Sequence, residues 1–184
     1  MAKKKLIQAT KLDIGCGSKK REGFHGVDQY AMEGVDIVLK IGTEAWPFAD
    51  DSIEEAHSSH FIEHLTANER VHFYNELWRV MKKGAKASII VPHWNSNRAY
   101  GDPTHQWPPV SEMAMYYLSK EWRATQAPHT DKQWNPDGYC CDFEAVWGYG
   151  MHPQLVVRNQ EYQQFAMQWY KEAVQDMHIN LTKK

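Results

Sequence analysis

The chain has 184 residues, a formal net charge of −2 with neutral histidines, and 42% hydrophobic residues. This size and apolar content predict one folded domain with its own core, spanning residues 1–184, and exclude a disordered chain. The near-neutral charge gives no sign of a nucleic-acid-binding protein. No apolar run reaches membrane-spanning length. The three cysteines include an adjacent pair and form no disulfide framework, so we expect an intracellular, cytoplasmic protein.

The first half of the chain predicts short strands joined by loops. Residues 1–5 predict a basic tail, and the segment at 15–24 has room for at most one or two helical turns. Thr66 and Glu69 match a capping box at the start of a long helix, and Gly84 is predicted to end it. The alternation of strands and helical segments predicts a parallel α/β sheet. The predicted strands are 6–14, 25–28, 35–41, 53–57 and 87–91, and the helix is 66–81.

The second half of the chain is less regular. Residues 93–138 predict substrate-side loops with a helix at 111–122, followed by a strand at 139–149, a helix at 159–177 and a strand at 178–182. Most of the 8 Trp and 9 Tyr residues lie here. Two interpretations stay open: packing of the core, or rings that line a substrate pocket.

A glycine turn between two acid-ended strands is the most informative stretch of the chain. Asp13 ends the first strand, Asp28 ends the second, and Gly15, Cys16 and Gly17 lie between them. Glycine reaches positive φ and lets backbone approach a ligand closely, while exposed amides attract negative charge. An acid at the end of the second strand is well placed to accept hydrogen bonds from a ribose.

Six short motifs then follow one another in order: LDIGCG at 12–17, GVD at 26–28, WPFADDS at 46–52, HFIEHL at 60–65, MKKGAKASIIVP at 81–92 and DPTHQW at 102–107. Together they resemble class I S-adenosylmethionine-dependent methyltransferases, in particular small stand-alone proteins of the methyltransferase-11 kind, some of which bacteriophages carry. The resemblance implies a single-domain Rossmann-like fold with a mostly parallel central sheet and helices on both faces. Lys19 stands where a third glycine is expected, which implies a shortened first helix.

The resemblance also implies roles for individual residues in holding S-adenosyl-L-methionine and the product S-adenosyl-L-homocysteine. Asp13 would orient the turn and the methionine amino group, and Asp28 would bind the ribose hydroxyls. Lys40 departs from the family pattern, because a lysine cannot accept a hydrogen bond from the adenine amino group. The full implied cofactor set is Asp13, Gly15, Cys16, Gly17, Lys20, Asp28, Gln29, Ile41, Gly42 and His60.

Residues that handle the methyl acceptor are expected in the loop after the fifth strand, which leaves the ligand-binding edge of the sheet. His105 is the preferred general base and His93 the second candidate, because histidine titrates near neutral pH. The alternative for His105 is a structural role in an Asp-Pro turn. The expected acceptor-binding residues are Trp94, Asn95, Asp102 and Trp107.

A metal site is not predicted from the sequence. His60 and His64 have helical i, i+4 spacing and His57 lies nearby, but the Glu-x-x-His zinc motif of metalloproteases is absent. Glu63 and His64 instead match the Glu-His pair of the resembled family.

Three functions are therefore weighed. The first is methyl transfer to an unidentified small-molecule acceptor. The second is a binding or regulatory role on a methyltransferase scaffold with a degraded cofactor site, which Lys40 and the missing third glycine suggest. The third, a nucleic-acid methyltransferase, lacks both a catalytic Asn/Asp-Pro-Pro-aromatic motif and a basic recognition domain. The sequence predicts no membrane partner and leaves the oligomeric state open.

Overall fold

The computed structural model describes residues 6–184, so the predicted basic tail at residues 1–5 lies outside the described residues. A seven-stranded sheet in the order β3-β2-β1-β4-β5-β7-β6 organises the chain. Strands β1 to β5 pair in parallel, whereas β7 runs antiparallel to both of its neighbours, β5 and β6. The strands are β1 Lys11–Ile14, β2 His25–Asp28, β3 Ile37–Val38, β4 Ile53–Ser59, β5 Met81–Pro92, β6 Phe143–Met151 and β7 Val174–Lys183.

Helices are concentrated after β4. No helix among residues 6–184 is long and apolar enough to cross a membrane. The helices are α1 Ala67–Val80, α2 Arg98–Gly101, α3 Glu112–Tyr116, α4 Lys120–Gln126, α5 Pro153–Val156 and α6 Gln160–Trp169, with short 3-10 helices at Ile62–His64 and Pro128–Thr130.

Helix α1 begins where the sequence predicts. The Thr66 hydroxyl accepts from the Glu69 amide, and the Glu69 carboxylate accepts from the Thr66 amide at 2.8 Å, which completes the capping box. The predicted role of Gly84 is wrong. The helix ends at Val80 and β5 starts with the next residue, so Gly84 lies inside the strand with φ at +78°.

Two helices of the second half are shorter than predicted. The predicted helix at 111–122 is broken into α3 and α4, which are separated at residues 117–119. The predicted helix at 159–177 ends at Trp169, and the strand predicted at 178–182 begins earlier, at Val174. Burial alternates along Val174–Lys183 because this stretch pairs with β5 on one side and β6 on the other. Sheet pairing therefore overrides the helical pattern seen in the sequence.

The sheet has one apolar face and one polar face. Side chains buried on the apolar face pack against α1 and the rest of the core, and include Ala56, Ala87, Ile89, Val91, Ile179 and Leu181. The opposite face is half-buried or exposed, and it carries Glu55, His57, Ser59, Lys86, Ser88, Ile90, His178, Asn180 and Thr182.

The polar face is only partly covered by the rest of the chain. The segments joining β1 to β2, β2 to β3 and β3 to β4 contain turns but no helix, so the polar face is left partly open. Parallel strands are normally covered on both faces. The first helix, which was predicted to be short, is absent, since residues 15–24 form only turns.

Arginines hold the long loops in place. Arg79 donates to the carbonyls of Trp46 and Phe48, both at 2.9 Å, and so fixes the segment between β3 and β4. Arg123, which is 0% exposed, donates to the carbonyls of Tyr117 and Cys141. Loop carbonyls buried without a partner would destabilise the fold, and the planar guanidinium satisfies several at once.

Replacing the helix cap tests how α1 is anchored. We expect Thr66→Ala to lower the free energy of unfolding by about 1 kcal/mol, because the Glu69 amide loses its acceptor. Chemical denaturation measures the change. Thr125→Ala, on the exposed side of α4, is the matched control and should shift the free energy by less than about 0.5 kcal/mol. Equal effects of the two substitutions would contradict the capping role.

Candidate active site

The glycine turn is built by its packing against the segment after β4. Gly15 and Gly17 have φ of +70° and +53°, a region that side chains other than glycine rarely adopt. A Cβ on Gly15 would lie 2.2 Å from the Phe61 ring, so the ring fills the place of a side chain. The Asp13 carboxylate accepts from the Arg21 amide at 2.7 Å and closes the far side of the turn.

Asp28 is held rigidly at the end of β2. Its two carboxylate oxygens accept from the amides of Gly17, at 2.9 Å, and Tyr30, at 3.0 Å. The residue is only 6% exposed. Each carboxylate oxygen has a second lone pair, so Asp28 can still accept hydrogen bonds from a ligand. The turn and the acid therefore form one preorganised unit.

A cavity of ≈ 440 Å³ opens beside this unit, and we name it the glycine-turn cavity. It lies beyond the carboxyl ends of β1, β2 and β4, which is where ligands bind in open α/β sheets. Its lining residues are Gly15, Gly17, Asp28, Gln29, Tyr30, Met32, His60, Phe61, His64 and Thr104.

A larger cavity of ≈ 610 Å³, the sheet-face cavity, lies on the polar face and also borders Gly15. Its lining includes the Asp13 carboxylate and two cationic side chains, Lys19 and Arg21. Burial lowers the pKa of His57, whose Nδ1 has no hydrogen-bond partner. The lining residues are Asp13, Gly15, Cys16, Lys19, Arg21, His57, Ser59, Ser88 and Ile90.

Five residues expected at the cofactor lie away from the glycine-turn cavity, and the first of them, Asp13, lines the sheet-face cavity. Lys20 forms an ion pair with Asp36 at 2.8 Å. Ile41 is 1% exposed and its carbonyl accepts from the Trp46 indole at 3.0 Å. Gly42 is buried against the side chain of Glu69 in α1, and Cys16 lines the sheet-face cavity instead.

The expected role of Cys16 as part of the backbone cradle does not involve its thiol. Burial, followed by the nearby Asp13 and Asp28 carboxylates, raises the pKa of Cys16 to about 11. The thiol therefore stays protonated near neutral pH, and a nucleophilic role is excluded.

The predicted acceptor residues His93 and Trp94 converge on a carboxylate that the sequence did not single out. Glu112 accepts from His93 Nε2, Trp94 Nε1 and the Tyr149 hydroxyl at 2.9, 2.9 and 3.0 Å. Burial opposes ionisation of Glu112, but hydrogen bonds from His93 and the backbone outweigh it and lower the pKa to about 2. Glu112 is therefore a fixed negative charge among aromatic rings.

Two openings flank Glu112. The aromatic cavity, of ≈ 440 Å³, is lined by His93, Trp94, Glu112, Tyr149, Gln164, Met167, Gln168 and Val174. The adjoining aromatic groove is lined by Trp94, Tyr100, Trp107, Pro109, Ser111, Glu112 and Met113. Trp107, 77% exposed, lines the groove.

His93 has no free ring nitrogen for base catalysis. Its Nδ1 accepts from the Asn95 amide at 3.2 Å, so its Nε2 carries the proton that Glu112 accepts. The side chain is 3% exposed. These contacts give His93 a positioning role toward Glu112. Asn95 donates to the Tyr170 carbonyl at 3.0 Å and lines neither opening.

His105 and Asp102 lie beside the glycine-turn cavity and not at the aromatic one. His105 Nδ1 donates to the Ala99 carbonyl at 3.2 Å, and Asp102 caps the turn by accepting from the Thr104 amide at 2.8 Å. The contacts of His105 therefore allow both predicted roles, the general base and the structural role in the Asp-Pro turn, because its Nε2 keeps a free lone pair.

Within the described part of the chain, Glu63, His64 and His105 each offer a ligand atom within 4.8 Å of the others. No motif in the sequence indicates this cluster of possible metal ligands, because His105 follows the other two residues by some forty positions.

The whole chain is similar in structure to known S-adenosylmethionine-dependent methyltransferases. One from Archaeoglobus fulgidus is 20% identical, with a TM-score of 0.58 over 95% of this chain and 86% of that chain. One from Mesorhizobium loti is 11% identical, with a TM-score of 0.51 over 97% and 93%. The [4+2]-cyclase SpnF is 14% identical, with a TM-score of 0.50 over 99% and 78%.

At this level of identity the likeness establishes the fold, and the chain has the Rossmann-like fold of S-adenosylmethionine-dependent methyltransferases. No protein-family model matches the sequence, and no curated protein is significantly similar to it. The fold class predicted from the motifs is confirmed. The reaction has to be argued from the site itself.

Adding a side chain at Gly15, where the turn contacts the Phe61 ring, tests whether this packing stabilises the fold. We expect Gly15→Ala to lower the free energy of unfolding by about 2 kcal/mol or more, because it adds both a steric clash and left-handed strain. Gly101→Ala is the control, since a Cβ there meets open space. Thermal and chemical denaturation measure both variants. A Gly15→Ala protein as stable as the control would contradict the packing described here.

The depressed pKa of Glu112 predicts a pH-dependent contribution to stability. Its folded pKa of about 2 is below its ordinary value of 4.5, so the contribution is complete above about pH 5 and is lost as pH falls toward 2. We expect Glu112→Gln to cost about 1–3 kcal/mol at pH 7 and less at pH 3.5. Urea titrations at both pH values measure this. Glu144→Gln, exposed on β6, should show no such difference, and a pH-independent cost at Glu112 would contradict the assignment.

Proposed function

We propose that the protein is an S-adenosylmethionine-dependent methyltransferase that binds its cofactor in the glycine-turn cavity. The observation that carries this proposal is Asp28, a nearly buried carboxylate fixed by two backbone amides at the mouth of a glycine turn. Such a carboxylate can accept hydrogen bonds from a ribose diol. Gln29 and His60 line the same cavity, as the resemblance implies.

The charge of the two cavities supports this placement. The transferable methyl group sits on a sulfonium cation, which aromatic faces and carboxylates stabilise. The glycine-turn cavity offers Asp28 and the rings of Tyr30 and Phe61. The sheet-face cavity carries the Asp13 carboxylate together with Lys19 and Arg21, so its two positive charges outnumber its one negative charge and disfavour a sulfonium. Its greater volume therefore does not make it the better cofactor site.

The acceptor is proposed to be a small molecule held in the aromatic cavity and groove around Glu112. An ionised carboxylate surrounded by rings favours a ligand that carries a positive charge or a hydrogen-bond donor. Trp94 borders both openings and Trp107 borders the groove. His105 remains the proposed base, because its Nε2 is not used in any hydrogen bond among the described residues. It lies beside the glycine-turn cavity, next to His64, where the acceptor's reacting atom has to meet the methyl group of the cofactor.

The alternative is a protein that binds a ligand on this scaffold without transferring a methyl group. It is favoured by three expected cofactor residues that contact other parts of the chain. Lys20 pairs with Asp36, the Ile41 carbonyl accepts from the Trp46 indole, and Gly42 is buried against the Glu69 side chain. The fold also supports other chemistry, since the [4+2]-cyclase SpnF shares it. Binding of S-adenosylhomocysteine distinguishes the two proposals.

Calorimetric titration with S-adenosylhomocysteine tests the proposed cofactor site. We expect saturable binding that Asp28→Asn weakens at least tenfold, because an amide offers one acceptor oxygen where the carboxylate has two. Glu144→Gln is the matched control, since it removes an exposed carboxylate on β6 and should leave the affinity unchanged.

A thermal melt of each variant shows whether Asp28→Asn still folds. A folded Asp28→Asn protein with unaltered affinity would overturn the assignment of Asp28. No detectable heat for the native chain at millimolar ligand would favour the alternative function.

A further inference from the structure

We propose that Glu63, His64 and His105 bind a divalent first-row transition metal ion beside the glycine-turn cavity. The three side chains come from the 3-10 helix after β4 and from the loop after β5. One potential ligand atom of each lies within 4.8 Å of the other two. Two imidazoles and one carboxylate form a donor set that such ions prefer.

Glu63 is the strongest sign of a missing ligand. The residue is 4% exposed, and neither carboxylate oxygen has a hydrogen-bond partner. A buried carboxylate without hydrogen bonds costs several kcal/mol, on the order of the penalty for a single buried ion. The nearest cationic group is His60, whose Nδ1 lies 3.4 Å from one carboxylate oxygen and whose side chain is half exposed. This contact leaves the second oxygen without a partner, and a metal ion would satisfy it.

His64 is oriented to present a lone pair. Its Nδ1 lies 2.9 Å from the Thr104 hydroxyl, and that hydroxyl donates its only proton to Asp102 at 2.7 Å. Thr104 must therefore accept from His64, which places the imidazole proton on Nδ1 and leaves Nε2 free. Metal-binding histidines are typically held in this way by a hydrogen bond from the opposite ring nitrogen.

His105 is held by the same kind of contact. Its Nδ1 lies 3.2 Å from the Ala99 carbonyl, which can only accept, so the proton is again on Nδ1. Its Nε2 is 3.9 Å from Asp102, too long for a hydrogen bond. The His64 and His105 rings meet edge to face with centroids 4.7 Å apart. Both imidazoles are thus preset in the tautomer that binds metal.

The backbone around the three ligands is fixed before any ion binds. Arg70 donates to the carbonyls of Ile62 and Glu63 on one segment and of Gln106 on the other. The Gln106 amide also donates to the Glu63 carbonyl at 2.8 Å. A site with rigid support loses little conformational entropy when it binds.

The position of the site suggests its use. His64 and Thr104 line the glycine-turn cavity, so an ion on His64 would border that cavity. The ion takes up the Nε2 lone pair of His105, so in the metal-bound protein His105 is a ligand and not the base. Resting on the proposed function, we infer that the ion then orients an oxygen atom of the acceptor, because a divalent ion binds and acidifies hydroxyl groups. Metal binding itself does not depend on the cofactor.

Titration of the untagged, chelator-treated protein with Co²⁺ tests the proposal. Calorimetry and the visible absorption of Co²⁺ should report one ion per chain in the absence of cofactor. Glu63→Gln keeps the side-chain volume and removes the charge, and His105→Gln removes an imidazole. We expect each to weaken Co²⁺ binding at least tenfold, comparable with the loss of a metal-site residue. His129→Gln, an exposed histidine of the 3-10 helix Pro128–Thr130, should leave the affinity unchanged.

Two results would overturn the site: no saturable binding at millimolar Co²⁺, or binding that Glu63→Gln and His105→Gln leave intact. A thermal melt accompanies each variant, and because Glu63 lacks hydrogen bonds, Glu63→Gln is expected to fold. Titration with S-adenosylhomocysteine is performed separately on the metal-free chain. Failure of the metal site and failure of the proposed function therefore give different results.

Discussion

The buried guanidinium of Arg70 joins two segments on which the whole candidate site depends. It projects from α1 and donates to four backbone carbonyls, two in the 3-10 helix after β4 and two in the loop after β5; the acceptors are Ile62, Glu63, Gln106 and Pro108. Arg70 is 8% exposed. A guanidinium is always protonated and its planar donors suit several acceptors, so no neutral side chain could replace it. A single buried guanidinium therefore holds the backbone at the edge of the sheet where the candidate site lies.

The other constraint on the site is the loss of helices between the first four strands. Without a helix after β1, the glycine turn passes directly to β2, and Lys20 and Asp36 pair to close the connection. The Gly17 amide of the turn still donates to Asp28, so the geometry of the proposed cofactor site is retained without that helix. As a result, one face of the sheet is left partly open. That face carries polar residues, whereas a parallel sheet covered on both faces carries apolar ones. The glycine turn therefore keeps its conformation although residues 15–24 form no helix.

The features that could be predicted from the sequence are those determined by near neighbours in the chain. The glycine turn, Asp28 at the end of β2 and the capping box at Thr66 all depend on residues within a short stretch, and each was found where expected. The first five strands were also found at the predicted places along the chain. Predictions failed where pairing across the sheet decided the structure, as at Val174–Lys183.

Contacts between distant segments could not be predicted. Lys20, an expected cofactor residue, forms an ion pair with Asp36 instead. Glu112 accepts hydrogen bonds from three donors that lie on separate elements. The cluster of Glu63 and His105 depends on Arg70, which has no motif of its own. Side-chain chemistry at the site is thus set by tertiary contacts, whereas its backbone cradle is set by local sequence.

A crystal structure with S-adenosylhomocysteine tests the central claim most directly. We expect the ribose hydroxyls on the Asp28 carboxylate and the ligand beside Gly15 and Gly17, in the glycine-turn cavity. Ligand density in the sheet-face cavity, on Lys19 and Arg21, would contradict it. So would crystals grown at saturating ligand that hold none at Asp28.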